Sequence, residues 1–398
     1  MISHVYIHIP FCIKKCYYCS FYSELFNDIS NYIKVLIAEI DFYNEKYNIK
    51  PTSIYFGGGT PSLLQPSQIQ KIISRLDTTN TKEITIEVNP ATVSTQKLLR
   101  FYDAGINRFS IGVQSMLDKE LKLLGRMHNT KDILSLNFSK LGNVSFDLIY
   151  GLPNQKIHDV IKTLRKLISM DPQHFSIYCL SLENDVPLYK MINQIPNDNI
   201  LSDMYFIIKE ILEQNRYIQY ELSSFSKNIQ FSTFSNSKKN TYESIHNLAY
   251  WSSKYYLGLG AGASGFLPFP ENEEKNSISN YINENYFDYK KQISMNYMHY
   301  RYQNHNLSDY LQKKNNYIKN KIILSDTDFE TDYIITGLRK TRGIEITEYE
   351  EIFKESFLKK YNQEIKKMLN NDMIIVNDYI KLNQKFYFLS NEVLCEFL

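Results

Sequence analysis

Short apolar or alternating runs recur along the first half of the chain: residues 5–10 (VYIHIP), 52–59 (TSIYFGGG), 82–89 (KEITIEVN), 108–114 (RFSIGVQ), 144–152 (VSFDLIYGL) and 174–183 (HFSIYCLSLE). They are rich in β-branched and aromatic side chains, and each predicts a strand. Between them lie longer stretches whose apolar residues return every three or four positions, among them 31–47, 67–77, 95–105 and 158–171. These predict amphipathic helices. Strand and helix in strict alternation build parallel βαβ units. Six units predict an α/β fold closed as a partial, TIM-like (β/α)6 barrel, whose chemistry gathers at the C-terminal strand ends. In the third run Ile84, Ile86 and Val88 share one face while Thr85, Glu87 and Asn89 share the other, because side chains alternate along a strand. Glu87 is therefore expected on the non-aliphatic face, near the strand's end.

The pattern breaks twice. Residues 228–245, rich in Ser, Asn and Lys, show no clean period and predict an exposed loop. From about residue 325 three helical stretches (332–343, 346–356, 360–373) are followed by two alternating runs around Asn377-Asp378, a hairpin signal. Three helices and a hairpin resemble a small α+β, winged-helix-like appendage. The expected division is a barrel domain over 1–270, a connecting segment over 271–324 and the appendage over 325–398.

The 398 residues are 43% hydrophobic and 22% charged, enough apolar material for a large core plus a second unit. The formal net charge is +2 and no Lys/Arg block occurs, so the electrostatic footprint of a nucleic-acid binder is missing. No basic stretch followed by an apolar run opens the sequence, and no apolar run is long enough to span a bilayer. The expectation is a cytoplasmic protein without stable membrane insertion. Five cysteines are present, and three of them, Cys12, Cys16 and Cys19, crowd into eight residues. Such a set makes a poor disulfide framework and a good metal-ligand set, which points to a reducing compartment.

Cys12-Ile-Lys-Lys-Cys16-Tyr-Tyr-Cys19 follows the first predicted strand directly, so one loop at a strand's C-terminal end gathers three thiolates. Iron-sulfur clusters take four such ligands as a rule, and a missing fourth leaves one iron open to an exchangeable group. The alternative is a structural zinc site, hence a scaffold or interaction protein, but zinc asks for a fourth Cys or His, and His4 and His8 lie too far back along the strand. Gly57-Gly58-Gly59-Thr60-Pro61 ends the second strand, where glycines let a ligand approach the backbone.

With these features the chain resembles the radical S-adenosylmethionine (SAM) superfamily, in which this cysteine spacing binds a 4Fe-4S cluster and the open iron takes the amino and carboxylate groups of SAM. Within it, YIHIPFC, FGGGTPSLL, IEVNP, SIGVQS, DLIYGLP and HNLAYW look like signatures of the oxygen-independent coproporphyrinogen III oxidase group. The resemblance implies that Cys12, Cys16 and Cys19 hold the cluster and that Tyr6 stacks near SAM. It further implies that Gly58, Gly59 and Thr60 bind the amino-acid end of SAM, Glu87 its ribose, and that Gln114, Arg126 and Asp147 complete the pocket. These side chains can make such contacts: a carboxylate accepts from hydroxyls, a guanidinium pairs with a carboxylate and an amide does both.

The group has two branches. One decarboxylates two propionates of coproporphyrinogen III; the other, the heme chaperone HemW, binds heme and hands it on. The oxidases carry another cysteine two residues after the third ligand, where this chain has Phe21, and a long extension ahead of the cluster, whereas Cys12 stands near the start of this sequence. His246-Asn247-Leu248-Ala249-Tyr250-Trp251 looks like the HNxxYW stretch associated with heme in the chaperone branch. It implies that His246 is an axial ligand, with Tyr250 and Trp251 offering flat apolar faces. Heme, a heme-acceptor protein and an electron donor are the partners the resemblance implies; the oxidase is the alternative activity. Two departures touch the heme contacts: the segment ahead of HNLAYW is lengthened, and Ser264 stands where the family usually has histidine.

Overall fold

The computed structural model describes residues 2–25, 28–47, 49–228, 242–268, 299–312 and 315–397. Most of the expected 228–245 loop and residues 271–298 of the expected connecting segment lie outside the described residues.

The six expected strands are present as β1 (Ile2–Ile9), β2 (Ile49–Gly58), β3 (Glu83–Val88), β4 (Arg108–Gln114), β5 (Val144–Tyr150) and β6 (His174–Cys179). They lie in sequence order and all pair in parallel. The four expected helices are α1 (Ile29–Lys46), α2 (Pro66–Ile73), α3 (Thr95–Asp103) and, after the shorter α4 (Asp118–Leu123) and α5 (Thr130–Leu134), α6 (Ile157–Ile168). Ile86, Phe109, Ile111, Phe146 and Phe175 on the outward faces of the strands pack with Leu36 and Ile40 of α1, Leu98 and Phe101 of α3, and Leu164 and Leu167 of α6. All of these side chains are buried. This apolar layer between strands and helices is the main core.

The sheet runs further than the sequence pattern indicates. Beyond β6 and after α7 (Asp198–Gln214) come β8 (Ser224–Lys227) and β7 (Tyr217–Glu221), both antiparallel. On the other flank, β9 (Tyr256–Leu259) pairs in parallel with β1, and β10 (Ser264–Pro268), β11 (His299–Asn304) and β12 (Ile318–Leu324) continue antiparallel. The result is a 12-stranded mixed sheet. The described part of the expected connecting segment thus contributes β11 and β12 to the main sheet. Helix α8 (Ile245–Trp251), carrying HNLAYW, leads the chain from the β7–β8 flank to β9 on the opposite one.

After α9 (Leu307–Gln312), the C-terminal part contains α10 (Asp326–Gly337), β13 (Ile344–Glu345), α11 (Ile346–Phe353), α12 (Phe357–Lys360), α13 (Asn362–Asn370), β14 (Ile374–Val376) and β15 (Tyr379–Leu382). The three strands form a small antiparallel sheet in the order β13-β15-β14. The expected hairpin and the second and third expected helices are there, whereas the first, expected over 332–343, runs over Asp326–Gly337 and the chain turns before β13. Buried Glu330 ties α10 to its neighbours by accepting from Tyr349, from Tyr361 (2.9 Å) and from Lys360 (2.8 Å). A buried carboxylate needs such partners.

The inner faces of the barrel strands are polar. Register pairs His4 with Ser53, Tyr6 with Tyr55 and His8 with Gly57, then Ser53 with Glu83 and Glu87 with Ser110. On β5 and β6, Ser145 pairs with His174 and Asp147 with Ser176. TIM barrels usually fill this space with branched apolar residues; here hydrogen-bonding groups fill it, and the apolar layer outside carries the stability. Phe146→Ala, at a fully buried outward position touching Phe138 and Phe175, is expected to lower unfolding free energy by about 3–5 kcal/mol in a urea titration. A loss below about 1 kcal/mol would contradict this account of the core.

Candidate cofactor cleft

β1 stops at Ile9, and the loop that follows is pinned at both ends. Phe11–Cys12 pairs with Glu24–Leu25, and Glu24 N donates to Pro10 O (2.6 Å). In its middle, Tyr17 N donates to Leu124 O (3.0 Å). Gly125, at φ +70, leaves the room that the Tyr17 ring fills: a Cβ there would stand 2.9 Å from it. Cys12 Sγ lies 3.5 Å from Thr60 Oγ1, after β2, and Cys16 Sγ lies 3.7 Å from Arg126 Nη1. Burial, with the neighbouring Cys16 and Cys12, raises the Cys19 thiol pKa.

All three cysteines line one cleft of about 440 Å³ at the C-terminal strand ends, a volume in the range of small-molecule sites. Among the described residues no three His, Cys, Asp or Glu side chains stand close enough to hold a single metal ion. A cluster asks for a wider set, because its thiolates each take a different iron. The cleft also gathers Gly58, Gly59, Thr60, Glu87, Gln114, Arg126 and Asp147. Lys14, Lys15 and strongly exposed Phe21 (71%) form part of its wall on the cysteine side.

The glycines at the end of β2 are needed for space. At Gly58 (φ +114) a Cβ would sit 2.7 Å from the His8 ring, and at Gly59 it would sit 2.7 Å from Phe11 O. Gln114 ends β4 at φ +65, strained for a side-chain-bearing residue, and such strain concentrates at functional sites. Arg126 donates to Gly112 O (2.6 Å), which fixes its guanidinium at the cleft wall.

Two half-buried carboxyls face the cleft. Glu87 accepts from Tyr55 OH (3.0 Å) and from Gly58 N (3.2 Å), and burial pushes its pKa up to about 7. Asp147 accepts from Ser110 (2.7 Å) and Ser145 (3.3 Å), and burial raises its pKa too. Half-buried carboxyls of this kind, with converging thiols and one guanidinium, fit a ligand that brings positive charge, hydroxyl donors and its own carboxylate.

Tyr6 stands behind this wall. Its ring stacks on Tyr55 at 6.2 Å, and its hydroxyl donates to His8 Nδ1 (3.0 Å), so that His8 Nε2 donates to Tyr22 O (3.0 Å). The His246 segment lies apart from the cleft, at the foot of the barrel where the strands begin. His246 is 1% exposed. Its Nδ1 bonds Ser53 Oγ (2.8 Å) and its Nε2 bonds Tyr250 OH (2.8 Å), so both ring nitrogens are engaged and neither is open to iron in this conformation. Trp251 is covered by the Arg339 guanidinium, 4.6 Å from its ring. The expected axial ligand is therefore occupied in this arrangement, while Tyr250 and Trp251 stay half-buried. Glu83 caps α8, accepting from Ile245 N (2.9 Å) and His246 N (3.1 Å).

The residue list drawn from motifs omits Tyr55, Ser110, Tyr178 and Cys179, all of which line the cleft. Strand alternation could have found the first two: Tyr55 shares a face with Gly57, and Ser110 shares one with Gly112.

Residues 6–167 match the radical SAM superfamily model. The chain is 36% identical over 305 residues to the heme chaperone HemW of Buchnera aphidicola (subsp. Schizaphis graminum), covering 72% of this chain and 77% of that one. It is 30% identical over 412 residues to heme chaperone HemW of Lactococcus lactis, covering 100% and 97%. Among solved structures, coproporphyrinogen III oxidase of Escherichia coli superposes with a TM-score of 0.76 over 100% of this chain and 89% of that one. At 19% identity that likeness is one of fold. Sequence likeness and fold agree, and the chain belongs to the HemW heme chaperone family of the radical SAM superfamily.

Proposed function

We propose that this protein is a heme chaperone that holds a 4Fe-4S cluster on Cys12, Cys16 and Cys19, binds SAM in the adjoining cleft, and passes heme to an acceptor protein. The heme reading is carried by the likeness to curated heme chaperones along the whole chain. The cofactor reading is supported by ten motif residues that line a single cleft. When bound, the cluster and SAM supply one-electron chemistry.

In this reading Gly58, Gly59 and Thr60 offer exposed backbone and a hydroxyl to the amino-acid end of SAM. Arg126 stands between the cysteine loop and the cleft wall to pair with its carboxylate, and Glu87 accepts from its ribose hydroxyls. Tyr6 serves from behind Tyr55, and Gln114 and Asp147 complete the polar wall. His246, Tyr250 and Trp251 reach heme when α8 opens, since His246 has to leave Ser53 or Tyr250 before a nitrogen is free. No described helix is long and apolar enough to cross a membrane, and the reading places heme transfer in the cytoplasm, with an electron donor serving the cluster.

Anaerobic reconstitution with iron and sulfide, followed by heme titration and a turnover assay with coproporphyrinogen III and SAM, tests the function. Stoichiometric heme binding without decarboxylation is the expected result; decarboxylated product without stable heme would make the protein an oxidase. Replacing Cys12, Cys16 and Cys19 by alanine should abolish the iron-sulfur absorbance, and a brown chromophore retained in the triple variant would refute the ligand set. The Glu87 pKa of about 7 also gives a pH prediction. The charged carboxylate is the form that accepts from hydroxyls and attracts the sulfonium, so SAM affinity should hold above pH 7. It should weaken as pH falls through 7, by about tenfold per unit well below it. Calorimetric titration between pH 6 and 8.5 measures this, and an affinity that stays level or rises toward pH 6 would contradict the role of Glu87.

A further inference from the structure

Helix α8 enters the barrel from its foot, and a cluster of three rings joins it to the cleft. The His246 ring stacks on Tyr55 with centroids 5.0 Å apart and planes at 27°, Tyr55 stacks on Tyr6 at 6.2 Å and 25°, and Tyr6 also lies 6.5 Å from His246, so the three rings form a triangle. From the cleft side of that cluster two hydrogen bonds leave. Tyr55 OH donates to Glu87 Oε1 (3.0 Å), and Tyr6 OH reaches His8, whose other nitrogen holds the Tyr22 carbonyl just after the cysteine loop. On the foot side the cluster is held from three sides. Ser53 Oγ stands 2.8 Å from both His246 and His4, Tyr250 takes the other His246 nitrogen, and Glu83, itself 3.9 Å from buried Arg108, caps α8.

We propose that His246 and Tyr55 are positioning residues for the SAM cleft: α8 plugs the barrel foot, and through the stacked His246–Tyr55 pair it sets where Glu87 stands. The proposal rests on the reading that SAM occupies the cleft. Neither the stack nor the plug is a generic packing contact. Glu87 has one side-chain partner, Tyr55 OH, and one backbone partner, Gly58 N. The Tyr55 hydroxyl reaches Glu87 from where its ring lies, and that ring is held by the stacked His246 ring, with Tyr6 against both. Around Glu87 the other titratable neighbours are Asp147 of β5, Tyr178 of β6, Tyr6 of β1 and, from α8 itself, Tyr250. None of these is a cation, so Tyr55 is the side chain that steadies the charged form.

The cluster also couples α8 to the cleft. A ligand that draws His246 away from Ser53 and Tyr250 removes the ring stacked on Tyr55, and a ligand that engages Glu87 holds Tyr55 in place. Coupling of this kind is reciprocal: SAM in the cleft should hold α8 closed, and opening α8 should weaken SAM.

The test compares Tyr55→Phe and His246→Ala with the parent protein after anaerobic reconstitution, with SAM affinity measured by calorimetry from pH 6 to 8.5 and iron content measured alongside. Tyr55→Phe keeps the ring and removes one hydroxyl, so it folds even if His246→Ala does not. It should weaken SAM roughly tenfold or more, the scale of a lost hydrogen bond to a charged group, and move the pH midpoint of binding upward, with iron content unchanged. His246→Ala should weaken SAM in the same sense from the far end of the barrel. Unchanged SAM affinity and pH midpoint in Tyr55→Phe would overturn the proposal. Loss of heme with intact SAM affinity in His246→Ala would overturn it as well and leave His246 a heme ligand alone. A parent protein that takes up iron but no SAM would instead sink the reading of the cleft, an outcome visible without any variant.

Discussion

The constraint on which this structure turns is the need to satisfy a polar barrel interior. Most hydrophilic groups on the inner strand faces, among them Ser53, Glu83, Ser110, Ser145 and His174, have been withdrawn from water, and a buried donor or acceptor left alone costs on the order of 1–3 kcal/mol. The interior answers with chains of hydrogen bonds across neighbouring strands. His174 lies between Ser145 (2.8 Å) and Tyr220 (2.8 Å), and Tyr220 in turn accepts from Ser244 N (3.0 Å) at the start of α8. The apolar layer outside the strands supplies the stability that permits such an interior.

The same constraint explains why the two ends of the barrel differ. At the C-terminal end, Glu87 and Asp147 have partners on one side and open cleft on the other, so burial raises their pKa values and leaves them ready for a ligand. At the foot, His246, Ser53, His4 and Glu83 satisfy one another and the α8 backbone. Burial lowers the pKa values of His4 and His246, which favours neutral rings that can both accept and donate. A histidine that looks like a metal ligand in the sequence is thus, in the folded chain, a keystone of the barrel floor. Both roles draw on the same imidazole lone pair, and a protein using them in turn would have to open one to engage the other.

Membership of the heme chaperone family and the fold shared with a porphyrinogen oxidase describe one scaffold with two outcomes. The barrel, the cysteine loop and the glycine turn belong to the scaffold. Phe21, strongly exposed in the cleft wall, is one of this chain's own side chains at the mouth of that scaffold.

Much of this was legible in the residues themselves. The six parallel strands, four of their helices, the cysteine loop and the inward face of Glu87 follow from periodicity and spacing, because strand alternation and helical repeat are local properties of the chain. The residues that line the cleft were legible one strand end at a time, since a parallel barrel brings all such ends to one rim. Tertiary structure alone decided the rest. Of the six outer strands, the glycine-rich run 255–266 already reads as a strand and holds β9 and the start of β10, whereas the others are too short or too mixed in polarity to announce themselves and exist because the edges of the central sheet offer them partners. Tyr55 looks like any strand tyrosine until His246, 191 positions later in the chain, arrives to stack on it. The place of HNLAYW at the barrel foot was likewise invisible to the motif, because a motif fixes which atoms could ligate, whereas packing and hydrogen bonding determine which of them are already taken.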